Sequence, residues 1–100
     1  MFKAMILLSR REDLSSEDFR RWWLDEHRPL ALQLPGLRKM VVNIVEADPV
    51  ESGVDGVSEL WFDTQADFEA AYATEIGKAV AADSTGHNRR RVRLFIDEHE

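Results

Sequence analysis

The chain has 100 residues, with 13 Lys and Arg against 19 Asp and Glu, a net charge of −6 and no cysteine. That length accommodates one domain, residues 1–100, and the acidity excludes a protein that coats nucleic acid or an anionic membrane. The missing cysteines exclude disulfide frameworks, thiolate metal sites and thiol nucleophiles, and fit a reducing, cytoplasmic setting.

Residues 2–9 (FKAMILLS) are an apolar run closed by the charged turn RRED, which reads as a buried strand rather than a leader. No apolar run approaches the roughly 20 residues of a membrane span. Ser15 and Asp18 have the spacing of a helix cap, so a helix is expected from Ser16. Phe19, Trp22, Trp23, Leu30 and Leu34 then recur at helical spacing. Pro29 removes a backbone donor and biases Arg28 away from helical angles, so the helix is expected to kink or stop there.

Residues 37–47 are rich in β-branched side chains and predict a second strand. Residues 48–53 (DPVESG) predict a loop, and residues 54–63 a third strand. Thr64 and Asp67 repeat the cap spacing. Phe68, Ala71, Tyr72, Ile76 and Val80 predict a helix broken near Gly77. Gly86–His87–Asn88 is expected to turn, and residues 91–97 to form the last strand.

Strand, helix, strand, strand, helix, strand is the order of an α+β, ferredoxin-like βαββαβ sandwich. Such a fold has an antiparallel four-stranded sheet with two helices on one face. The first three strands all carry apolar residues on both sides. Phe2, Ala4, Ile6 and Leu8 oppose Met5 and Leu7 in the first, for example. Two helices cover one face only, and the other would leave a large apolar patch. A second copy of the same sheet is the simplest cover, so a homodimer is expected.

The stretch most suggestive of chemistry is Trp22–Trp23–Leu24–Asp25–Glu26–His27–Arg28–Pro29. On a regular helical wheel Phe19, Trp23, Glu26 and Leu30 share a direction. Glu26 is thus expected on the apolar face and His27 at its edge. A desolvated carboxyl beside an imidazole can do acid–base work. Glu59, in the third strand, is a second candidate, with Lys39 and Asn43 as possible partners. Trp23 and Trp61 are expected to wall a small-molecule pocket.

The Arg89–Arg93 run is read as turn and sheet edge. The three histidines show no metal-ligand spacing, and no Gly-rich phosphate loop occurs, so neither a metal nor another cofactor is expected.

The segments AMILLSRRED, LSSEDFRRWW, EHRPLALQLPGLRKMVVN and DGVSELWFD together resemble the EthD-like family of the dimeric α+β barrel superfamily. The resemblance spans about residues 3–97. It implies two ferredoxin-like sheets packed face to face. It also implies an acid–base role for the histidine of the His-x-Pro-Leu element, here His27. Many relatives carry a second histidine just before it, where this chain has Glu26.

The resulting expectation is a cofactor-independent enzyme of isomerase or lyase type. His27 would move a proton on a carbonyl, lactone or phenolic substrate, assisted by Glu59 or Glu26. The alternatives are a cofactor-free oxygenase of polyketide-like aromatics and a non-catalytic module that binds a small hydrophobic ligand.

Overall fold

Alternation along the strands dictates the layers. The computed structural model describes residues 1–100. It orders them as β1 (Phe2–Arg10), α1 (Ser16–Arg21), a π-helical segment (Trp22–His27), α2 (Arg28–Ala31), β2 (Lys39–Ile44), β3 (Gly56–Phe62), α3 (Gln65–Tyr72), α4 (Glu75–His87) and β4 (Asn88–Ile96). The strands form one sheet in the order β2-β3-β1-β4, every neighbouring pair antiparallel. This is the ferredoxin-like βαββαβ arrangement that the sequence predicts.

One sheet face lies under the helices. Ala4, Ile6 and Leu8 of β1 and Leu60 and Phe62 of β3 pack there against Phe19, Trp22, Trp23, Phe68 and Val80. Burial of each large apolar side chain contributes about 1.5–3 kcal/mol. The opposite face carries no helix. Met5, Leu7, Val41 and Val57 remain only partly covered on it.

Ser15 caps α1, its hydroxyl accepting the Asp18 N–H at 3.0 Å. Of the expected kink or stop at Pro29, the stop does not occur. Arg28 is helical, at φ −57° and ψ −47°. Its N–H donates to the carbonyl of Trp23, five residues back rather than four. The wider π turn absorbs the proline within a continuous helix.

The second helix breaks as predicted, but earlier than Gly77. Thr64 caps α3 and Thr74 caps α4, each hydroxyl accepting the N–H three residues on. Gly77 sits inside α4 because a Cβ there would lie 2.2 Å from the Ala71 carbonyl oxygen. No turn forms at residues 86–88. The α4 helix runs to His87 and the strand begins at Asn88.

Candidate functional site

The π segment decides which polar side chain enters the core. One extra residue per turn stacks positions five apart. Trp22, Trp23 and His27 therefore face inward, while Asp25 and Glu26 are exposed. This corrects the regular-wheel expectation for Glu26, which faces solvent. Trp23 is fully buried because Gly56 of β3 gives it room. A Cβ on Gly56 would fall 2.1 Å from the Trp23 ring.

His27 is 6% exposed and meets a carboxylate. Its Nδ1 lies 2.8 Å from Oδ2 of Asp83 on α4, so Nδ1–H donates and Nε2 keeps its lone pair in the neutral ring. Trp22 Nε1 donates to the same oxygen at 3.2 Å. The Trp22 ring also stacks on His87, centroids 4.3 Å apart. His87 Nδ1–H in turn donates to the Asp83 carbonyl at 2.7 Å. Asp83 is thus fixed from three sides. Burial pushes His27 below the ordinary imidazole value of 6.5, and the Asp83 carboxylate opposes that shift.

His27 lines a narrow cavity beneath the helices. Ile6, Leu8 and Leu60 form its floor, and Trp23, Ala31 and Val80 its sides. Met40, Tyr72, Ser58, Ser84 and Arg91 complete the wall. The inner slot is narrow, with room for about one water. A larger ligand has to displace side chains, and unbranched Met40 is the most adaptable. Burial raises the Tyr72 phenol, which keeps it protonated.

Glu59, Asn43, Lys39 and Trp61 do not join this cavity. Register places them on the helix-free face. There Asn43 Nδ2 donates to Glu59 Oε2 at 2.9 Å, and Lys3 Nζ lies 2.7 Å from Glu59 Oε1. Lys3 first, then Asn43, holds Glu59 below its usual value. Lys3 and Lys39 both sit 4.8 Å from the Trp61 ring centroid, and Trp61 Nε1 donates to Glu98. The expected grouping of Glu59 and Trp61 with His27 fails because consecutive strand residues alternate faces. Of the expected site residues, only His27 and Trp23 line the cavity.

Asp83, Tyr72, Arg91 and His87 were not singled out. Asp83 and His87 have i, i+4 spacing on α4, a signal hidden when a turn is placed at Gly86.

Comparison with known proteins shows the family and the fold. The EthD domain family matches residues 11–87. The chain belongs to that family. A 4-carboxymethyl-4-methylbutenolide mutase from Pseudomonas reinekei is 28% identical over 87 residues, covering 79% of this chain and 80% of that protein. An EthD family protein from Bacillus halodurans superposes with a TM-score of 0.86 at 27% identity, over 99% of both chains. A dimeric ferredoxin-like protein from Thermobifida fusca shares the fold, with a TM-score of 0.77 at 14% identity over 95% of this chain and 88% of that one. No helix of this EthD chain is long and apolar enough to cross a membrane.

Proposed function

We propose that this EthD protein is an isomerase-type acid–base enzyme acting on a small lactone or related carbonyl compound, with His27 as the group that moves the proton. The observation that carries the reading is the His27–Asp83 pair at the wall of a mostly apolar cavity. Asp83 orients the ring and fixes its tautomer, and burial keeps it neutral near pH 7. A neutral imidazole with a free Nε2 is a competent base toward a carbon acid beside a carbonyl. On a butenolide whose C4 is quaternary the proton goes on first. Nε2, having taken a proton from solvent, gives it to the carbon beside the carbonyl as an internal carboxylate adds across the double bond. It takes a proton back from that carbon as the original lactone bond opens, so His27 ends as it began. Tyr72, kept protonated, supplies a hydrogen-bond donor in the same wall. A purely ligand-binding module predicts a closed or shallow pocket and a His27 engaged by main-chain groups; the slot is narrow, but the Nδ1 partner of His27 is a carboxylate. The related mutase supports the choice of a butenolide-like lactone.

The proposed working form is a homodimer closed through the helix-free sheet face. Its apolar residues and the internally paired Lys3, Glu59 and Glu98 suit burial against a second copy.

The test is incubation with 4-carboxymethyl-4-methylbutenolide in deuterium oxide, followed by proton NMR. The expected result is isomerisation or catalysed deuterium uptake beside the carbonyl. Both should fall about 100-fold or more in His27→Gln. Equal rates in a folded His27→Gln protein would remove His27 from the reaction.

A further inference from the structure

Arg91 sits in β4 directly opposite Leu8, so its side chain projects under the helices and lines the His27 cavity. Its Nε is buried and has no hydrogen-bond partner. Its one hydrogen bond is a long contact, 3.4 Å, from Nη1 to the Thr85 hydroxyl. None of the ion pairs in the chain includes it. Asp83, the carboxylate beside His27, is already engaged by His27 and Trp22. Trp23, another wall residue, also has an unpartnered buried donor at Nε1. The cavity is thus lined by two residues that carry an unpartnered buried N–H, one of them on a guanidinium, and by no acidic side chain. Buried donors are ordinarily paired, and the half-buried Arg91 has no counterion. A ligand that supplies acceptor oxygens with negative charge removes both defects at once.

We propose that Arg91 is the specificity-determining residue of this cavity, reading a carboxylate on the ligand while His27 faces its reactive carbon. The proposal deepens the acid–base reading, on which it rests for the identity of the reacting group. It requires that a ligand with a free carboxylate bind in preference to its neutral ester.

The test uses the full chain and two non-reacting probes, 4-oxopentanoate and its methyl ester, titrated by heteronuclear NMR at pH 7.5. The acid should bind about tenfold more tightly than the ester, as expected for one buried charge-assisted hydrogen bond. It should also shift the Trp23 indole N–H resonance. Arg91→Met should reduce the preference to about twofold or less, and Arg91→Lys should restore part of it. Equal affinity of the wild-type chain for acid and ester would overturn the proposal, as would an undiminished preference in Arg91→Met. Should Arg91→Met not fold, the wild-type preference and the Trp23 shift decide, and the absence of either overturns it. His27→Gln should keep the preference for the acid. Its turnover tests only the acid–base reading, so the two fail separately.

Discussion

Trp22 and His27 are five positions apart, and their ring centroids lie 4.9 Å apart. In a regular α-helix the residue stacked with Trp22 would be four positions on, at Glu26. The π turn exchanges the two, placing the imidazole in the core and the carboxylate in water. This one local change of winding gives His27 access to Asp83 across the helix pair. It also spares the fold an unpaired buried carboxylate.

A buried neutral imidazole makes stability depend on pH. The folded pKa of His27 lies below 6.5, so between the two values the unfolded chain binds more protons. Stability is therefore full above 6.5 and is lost as pH falls toward the folded value, by up to about 1.4 kcal/mol per pH unit. Carboxylates such as Glu59 and Glu98, held below their usual values, act only from about 4.5 downward. Urea unfolding at pH 7.5, 6.5 and 5.5 should show falling stability in wild type and a flatter profile in His27→Gln. Parallel profiles would show that His27 is not the group responsible.

Gly56 is required by the ring of Trp23 rather than by its backbone. A methyl group 2.1 Å from that ring has nowhere to go, since the indole is fully enclosed. Gly56→Ala should destabilise the chain by about 1–3 kcal/mol, the usual range for overpacking. It should also disturb the cavity wall. Chemical denaturation measures the first, and loss of ligand affinity the second.

The fold was legible because strand alternation and the two threonine or serine caps are local signals. Ser15 and Thr64 each announce a helix start, and the apolar residues on both sides of β1 and β3 announce a sheet with two covers. The site was less legible because its members meet through tertiary geometry. Asp83 lies 56 residues from His27. Glu59 and Trp61 carry suitable chemistry but occupy the wrong face of the sheet. Arg91 looked like part of a basic edge, yet alternate residues of β4 point inward. The winding of residues 22–27 was unreadable by a fixed 100° wheel, which is why Glu26 was expected where His27 stands.

The helix-free face should hold two copies together. Leu7 lies in β1 near its centre, partly exposed between Val57 and Val92 of the flanking strands. The chain should elute with twice its 11.5 kDa mass. Leu7→Asp, which places an unpaired charge in the apolar interface, should shift that species to a single chain at micromolar concentration. Light scattering distinguishes the two. A monomeric wild-type chain would leave the open face without its proposed cover.

In the proposed reaction Asp83 acts through His27. Its carboxylate accepts from Nδ1, holds the ring in the orientation that leaves Nε2 free, and raises an imidazole pKa that burial lowers. In Asp83→Asn the charge is gone while the size is kept. The His27 pKa should then fall further below 6.5. If the reaction needs the neutral ring, the acidic limb of the rate profile should move to lower pH. The plateau should nevertheless drop about 10–100-fold, because the amide can present either end to Nδ1 and no longer fixes the tautomer. A structural role alone would lower the amount of folded protein and leave the limb where it was. The shift of the limb, measured as kcat/KM against pH for the same folded fraction, is therefore the decisive quantity. Trp22→Phe supplies the control: it removes the second donor to Oδ2 but leaves the charge, so it should leave the limb near its wild-type position.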